Sequence, residues 1–493
     1  MYYGMHFNSP LRWVLGPSLA CFTRLWYLNR VRLGHFHEEN IALHQKYGPI
    51  VRLGPDLYSI STPDKAVYGF ASRFPKGSWY DGWKHPSPDR WTLFPDRNIQ
   101  RHAETRKRFQ TMYSLSSIIG YETYVDDCVR ILSKKLRNFA LSGENIDIVH
   151  WFQCYAFDVI GHITYSQRFG FLDRGEDISG LMKALERSMV YSTLVGIYAW
   201  LHPYIFAIME KMPGSGASGR AFIMKFVQDR IDVRNEQRKK IPSEISKSQH
   251  LQDKPQDFLD RLTDAHEEDP SRVTAYHIFM MGLSNIIAGS DTTAISLSSV
   301  LYHLFRNPRT LEKLRQEIDE IDQRRECKEN AFSFKETQNM PYFQAVIKEA
   351  LRLHPATGLP LWRVVPDGGA TIAGQYFPAG VVVGLNSWVA HYSEETFGED
   401  VKEFKPERWI EAARSEGEKQ KRMEAFYMPF GLGSRTCLGR HISILEISKL
   451  IPWLVKHFDF ELEEPDKAWE TSNYWFVKPV RLCVGVKFRK GIL

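Results

Sequence analysis

Apolar positions recur every three or four residues over most of this chain, the period of helices that lay one face on a core. The longest such run is 271–306. No proline falls within it, and Asn307-Pro308 stops it. A helix of about 30 residues spans roughly 45 Å, enough to cross an entire domain. Helical spacing also predicts helices over 37–47, 98–114, 122–140, 146–161, 221–240, 340–353 and 440–456. The first ends at Gly48-Pro49. Helix 340–353 has Pro341 in its first turn and stops before Pro355. In the last, Ile442, Leu445, Ile447, Leu450, Ile451 and Leu454 carry the period, and Pro452 is expected to kink its far end. Short strand-like runs lie at 50–53 and 57–60 around the turn Gly54-Pro55-Asp56, and at 370–372, 376–377 and 381–385 around Gly374 and Pro378-Ala379-Gly380. The pattern is mainly helical with a small β-rich part.

Three stretches break the pattern. Residues 74–95 carry Trp79, Tyr80, Trp83, Trp91 and Phe94 among four prolines and cannot form one regular element. Residues 179–212 are apolar and aromatic, with Tyr191, Tyr198, Trp200, Tyr204 and Phe206, and Pro213-Gly214-Ser215-Gly216 ends them. This predicts either a helix–loop–helix lid that touches a membrane or core helices joined by a flexible turn. Residues 238–255 are polar and read as an exposed linker.

Composition narrows the picture. A length of 493 residues alone suggests several domains. With no Gly/Ser linker, repeat or low-complexity tract, one large domain over 31–493 behind a short leader, 1–30, is the expectation. A hydrophobic share of 43% with 13% aromatics suffices for a sizeable core and a buried flat cofactor. The net charge of +6 does not point to nucleic acid; it fits a local basic face for an acidic partner. Six scattered cysteines indicate free thiols and a reducing compartment. Pro10, Arg12, Pro17 and Arg24 interrupt every apolar run of the leader, so no transmembrane helix is expected there. Trp13, Phe22, Trp26 and Tyr27 beside Arg24, Arg30 and Arg32 suit a membrane surface and ordinary packing of a leading helix equally well.

The chemistry gathers at Phe430-Gly431-Leu432-Gly433-Ser434-Arg435-Thr436-Cys437-Leu438-Gly439. Cys437 lies just ahead of a helix N-terminus, where the dipole and free N–H groups favour a thiolate. Such a thiolate is a metal ligand or a nucleophile. No second Cys or His stands at zinc spacing, whereas one thiolate suffices as the axial ligand of haem iron. In the middle of the longest helix stands Ala288-Gly289-Ser290-Asp291-Thr292-Thr293. A mid-helix Thr ordinarily bonds the carbonyl four residues back. If that bond is diverted a groove opens, with Gly289 leaving room for a small molecule. His102 and Arg106 share a helix face four residues apart, beside the basic Arg97, Arg101, Lys107 and Arg108.

Phe430, Gly433, Arg435, Cys437 and Gly439 fill every fixed position of Phe-x-x-Gly-x-Arg-x-Cys-x-Gly, and by this signature the chain resembles the cytochrome P-450 superfamily of haem-thiolate monooxygenases. Asp291-Thr292, the Glu349/Arg352 pair and Pro406-Glu407-Arg408-Trp409 match further motifs in the family's order, with Trp409 replacing the usual Phe. The resemblance runs from residue 17 to the C-terminus. Ser78-Trp79-Tyr80-Asp81 and Arg108-Phe109-Gln110-Thr111-Met112-Tyr113-Ser114 look most like fungal members of the pisatin-demethylase-like group.

The resemblance implies a mainly α fold with a small β lobe, and haem b between the long helix and the cysteine loop. Cys437 would ligate the iron. His102, Arg106, Arg363 and Arg435 would bind the propionates, with Phe430, Gly433 and Gly439 shaping the loop. Asp291 and Thr292 would serve oxygen activation and proton delivery, and Glu349, Arg352 and Arg408 a structural ion network. Trp83, Ile287, Ala288, Thr357, Leu361 and Trp475 become substrate-pocket candidates. The implied reaction inserts one atom of dioxygen into a lipophilic small molecule by hydroxylation, demethylation, epoxidation or oxidative coupling. Fungal secondary metabolism is the expected setting, and detoxification of a plant phenolic or other xenobiotic the alternative. Electrons would come from NADPH through an external reductase, with cytochrome b5 as a second donor, docking on the basic helix. The chain is expected to be monomeric, at the cytosolic face of the endoplasmic reticulum or in the cytosol. The rivals are haem-thiolate isomerases or dehydratases and a haem-binding carrier or sensor without turnover. An intact Asp291-Thr292 pair speaks against both.

Overall fold

A computed structural model of the chain describes residues 11–240, 256–325, 331–415 and 417–490. The first ten residues of the expected leader, most of the polar linker and Cys327 lie outside the described residues. Residues 11–32 pack onto the β lobe. Leu11, Ala20 and Tyr27 are buried, and the Arg52 guanidinium donates to the Leu11 carbonyl at 2.5 Å.

The long helix is Ala275–Arg306, started by Thr274, whose side chain accepts from the His277 N–H while the His277 ring accepts from the Thr274 N–H. It is buried nearly all round because four others pack on it. These are Ile148–Tyr165, Pro341–Leu353, Arg440–His457 and Gly216–Lys240. Pro452 sits inside Arg440–His457, which continues past it. The expected helix over 98–114 ends at Phe109, because Ser114 takes the Ser117 N–H and starts a separate short helix, Leu115–Ile119. The apolar stretch of 179–212 is likewise not continuous. It is the helix Leu181–Val195, a tight 3-10 segment Gly196–Leu201 and the helix His202–Met209, broken at Tyr198 (φ −119°, ψ 59°). By length and composition alone, Ile178–Met209 would pass as a membrane span. Its break and its packing against Gly216–Lys240 make it a layered lid instead.

Strands Ile50–Gly54, Leu57–Ile60, Val382–Leu385 and Arg363–Val364 form one sheet in that order, with Leu57–Ile60 parallel to Val382–Leu385. Two-stranded pairs join Ala370–Ile372 to Gln375–Phe377 and Thr471–Tyr474 to Phe476–Pro479. The second hairpin turns on Trp475 alone. Tyr474 faces Phe476 across the ladder, and Trp475 takes φ +80°, a backbone costing about 1–3 kcal/mol for a side chain this large. The Gly358 N–H, bonded to the Trp475 carbonyl at 2.8 Å, holds it there.

Candidate active site

One cavity of about 350 Å³ lies between the long helix, the cysteine loop and the lid. Its wall brings together residues that lie far apart in sequence. Among them are Cys437, Phe430, Gly439, Thr292, His102, Arg106, Arg363 and Arg435, and all six pocket candidates: Trp83, Ile287, Ala288, Thr357, Leu361 and Trp475. Gly433 is not on the wall. It has φ +57°, and a Cβ there would lie 2.0 Å from the Tyr68 carbonyl oxygen, so glycine lets the loop lie against 68–69.

The loop is closed by its own backbone. The Cys437 N–H donates to the Phe430 carbonyl at 2.8 Å, and Gly431 N–H to Met428 at 3.0 Å. Arg106 donates to the Thr436 carbonyl at 2.7 Å, fastening the loop from the side. The Cys437 side chain opens on the cavity. Burial pushes its thiol above the ordinary value, outweighing the Gly439 N–H and the Arg106 charge that pull the other way. Burial thus opposes the thiolate that the helix start favours.

Behind the loop the ion network forms as a closed set. Arg352 donates twice to the Glu349 carboxylate (2.9 and 2.8 Å), Arg408 Nε once (2.8 Å), and the Trp409 indole N–H once (2.8 Å). Trp409 thus adds a bond that the usual phenylalanine lacks. All of these side chains are buried, so each charge depends on the others. His391 carries the network to the loop. The Met428 N–H donates to its Nε2 at 2.8 Å, so Nδ1 holds the proton and donates to the Arg352 carbonyl at 2.9 Å. Nothing in the local sequence marks His391 for this task.

One flank of the cavity is strongly cationic. Arg106, Arg363, Arg435 and a residue that the motifs missed, Lys76, line it with His102. Lys76 is buried, donates to the Phe94 carbonyl, and lies over the Tyr80 and Phe94 rings. Burial, with Arg363 and Arg435 next, drives its pKa well below the ordinary value. Burial followed by Arg435 and Lys76 pushes His102 down to about 2, and burial brings Arg435 to about 10. The nearest carboxylate, Asp96, is held by Arg101 at 2.8 Å through both oxygens. A buried cationic group of this size calls for an anion with two carboxylates, and the thiol beside it calls for a metal. A haem, with its propionates and iron, fits both demands.

On the long helix, one expectation changes. Thr292 keeps its ordinary bond, donating to the Ala288 carbonyl at 2.7 Å, so no groove opens by diverting it. A Cβ on Gly289 would meet Ile160 Cγ1 at 2.9 Å, so the glycine, which lines the cavity, also serves the approach of helix Ile148–Tyr165. Asp291 is buried and is not on the cavity wall. Gln153 Nε2 donates to its Oδ1 at 2.5 Å, and Lys478 Nζ stands 2.7 Å from Oδ2. Lys478 is half-buried on the hairpin strand Phe476–Pro479, so Thr292, Asp291 and Lys478 step outward from cavity to surface. Neither Gln153 nor Lys478 belongs to a motif. On the basic helix, Arg101 and Arg97 are taken by Asp96 and Asp81, and Arg108 meets the His277 ring at 3.3 Å, so its charge is less free than the sequence suggests.

Comparison with known proteins agrees with this geometry. The family model described as cytochrome P-450 matches residues 16–482. A pisatin demethylase of Fusarium vanettenii is 37% identical over 96% of this chain and 90% of its own length. A cytochrome P-450 monooxygenase of Aspergillus terreus is 37% identical over 90% of this chain and 89% of its own. The cytochrome P-450 monooxygenase cicH of Emericella nidulans is 35% identical over 97% and 94%. Matched over nearly its whole length, this chain belongs to the cytochrome P-450 family of monooxygenases, and that family implies a haem.

Proposed function

We propose that the protein inserts one oxygen atom from dioxygen into a lipophilic small molecule, in fungal secondary metabolism or in the removal of a plant-derived compound. The carrying observation is that Cys437, Thr292 and the cationic flank line one cavity. The haem iron supplies the oxidising chemistry when bound, with electrons from NADPH through an external reductase. Cys437 holds the iron. Lys76, His102, Arg106, Arg363 and Arg435 hold the propionates. Thr292 Oγ1 keeps a proton at the cavity wall, and Asp291, steadied by Gln153 and Lys478, replenishes it from the surface side. Trp83, Phe94 and Trp475, with Trp475 5.7 Å from Phe94 and 6.0 Å from Trp83, exclude water and orient the apolar body of the substrate. The names of the relatives, pisatin demethylase among them, favour demethylation or hydroxylation as the outcome.

The same reading extends to a membrane surface. The leading helix and the lid meet through Thr23 Oγ1 and the Tyr198 hydroxyl, 3.0 Å apart. Together they expose Phe22, Leu25, Trp200, Tyr204 and Ile208, with Trp200 70% exposed. Residues 31–493 act as one unit in this scheme. NADPH oxidation with purified reductase, giving from extracts of a deletion strain an oxygenated product that the parent strain contains, tests the activity. Flotation with vesicles tests the surface. Haem-loaded protein that consumes no NADPH with any candidate would return the carrier reading.

A further inference from the structure

Besides the cationic flank, the cavity wall holds another charge, one with no counter-ion among the described residues. Arg220, on the helix Gly216–Lys240, is only 7% exposed and lines the cavity. Its partners are all neutral. NH1 donates to the Lys84 carbonyl at 2.7 Å, and NH2 to the Gly82 carbonyl at 3.1 Å and Ser192 Oγ at 2.6 Å. Among the described residues no carboxylate lies within ion-pair distance of it, and two of its five N–H donors remain unused. Burial lowers its pKa to about 10, so it stays cationic at neutral pH. A buried cation is ordinarily paired, because leaving one uncompensated costs several kcal/mol.

The haem does not account for this charge. Arg220 sits on the helix Gly216–Lys240 and bonds residues 82, 84 and 192, none of which is among the residues proposed for the propionates. Beside Arg220 stands an independent sign of a missing acceptor. Trp83 falls between Gly82 and Lys84, whose carbonyls Arg220 grips, and it lines the same cavity. Its Nε1–H is buried with no partner. Ser188, also on the wall, adds a hydroxyl nearby in sequence to Ser192. Two idle donors, one charged, border an otherwise aromatic chamber built by Trp83, Phe94 and Trp475.

We propose that the substrate is a planar aromatic carboxylic acid, its carboxylate seated on Arg220 and the Trp83 indole N–H. The apolar body would then extend toward Cys437 and Thr292. This deepens the monooxygenase reading and rests on it. A simple tether between the lid and residues 82–84 would use the same carbonyl bonds but would be indifferent to the charge of a ligand.

The test uses haem-loaded full-length protein and equilibrium dialysis with naphthoic, biphenylcarboxylic and anthracenecarboxylic acids, each against its methyl ester. At least one acid should bind about tenfold tighter than its ester, as a charge-assisted bond requires. Arg220→Gln should bring the pair to about equal affinity, Arg220→Lys should keep part of the preference, and Trp83→Phe should reduce it about threefold. A panel in which no acid outbinds its ester, or a preference that survives Arg220→Gln, would overturn the proposal. If Arg220→Gln fails to fold, the wild-type ratio and Trp83→Phe decide. The carbon monoxide spectrum of the same preparation tests the haem-thiolate reading separately, since dialysis does not depend on it.

Discussion

The two sides of the cavity are held together by opposite means. On the cysteine side the charges of Glu349, Arg352 and Arg408 pair with one another, and His391 passes that rigidity to Met428. On the lid side, aromatic rings meet edge to face, Trp475 is held at positive φ, and Arg220 and Trp83 keep donors in hand. A fully satisfied network specifies one geometry, which the metal needs. Loosely directional ring contacts with idle donors accept whatever completes them, which a substrate chamber needs. The reaction type therefore resides in the first region and the choice of substrate in the second.

Removing the first region's purpose should have the largest effect. Cys437→Ser should abolish the red-shifted Soret band of the reduced, carbon monoxide-treated protein and all product formation. A retained band in well-folded, haem-loaded protein would break the assignment. Next comes Glu349→Gln, which leaves the buried Arg352 guanidinium without a carboxylate partner and Arg408 with Asp400 alone. It should cost about 3–5 kcal/mol and lower haem content together with stability in urea melts. A loss below about 1 kcal/mol would mean that the loop does not depend on the network.

Thr292→Ala should keep haem and the carbon monoxide band while product per NADPH falls roughly 10²-fold and peroxide rises, as expected when a positioned proton donor is removed. Unchanged coupling would deny Thr292 its role. Acid sensitivity, by contrast, should not separate the two sides, since burial also lowers His202 of the lid to about 4. Burial lowers His391 and His303 to about 3 and His354 to about 4, below their ordinary 6.5. A lowered histidine is bound neutral, so its contribution is complete above about 6.5 and is lost as pH falls toward the folded values. Each should remove about 1.4 kcal/mol per pH unit within that window, read as a falling Tm from pH 6.5 to 4.5. A flat profile would refute it. Smallest should be Trp475→Leu, which gives up ring contacts worth about 0.5–1.5 kcal/mol each. Lipophilic ligands should bind about tenfold weaker with the carbon monoxide band unchanged. A changed band would show that the two sides are not separable.

Much of this was legible beforehand. The helix through Asp291-Thr292 follows from a proline-free apolar period, and the Glu349/Arg352 pair from i,i+3 spacing on a helix. The apolar stretch of 179–212 misled, because composition carries no sign of the turn at Tyr198. Thr292 and Gly289 do line the cavity, but the Thr292 bond to the Ala288 carbonyl and the closeness of Ile160 to Gly289 are set by their neighbours.

By itself, then, the sequence determined the cysteine loop proposed to hold the iron, the order of the motifs and the helical frame, since each rests on residues close together in the chain. Only the tertiary structure decided that Lys76 joins the cationic flank, that Lys478 of the last hairpin meets Asp291, that His391 braces Met428, and that Arg220 faces the cavity without a counter-ion. Those pairings link segments tens to hundreds of residues apart. Burial and the absence or presence of an opposite charge exist only once the chain has folded, and a lone Lys, His or Arg in sequence is ordinarily a solvated one.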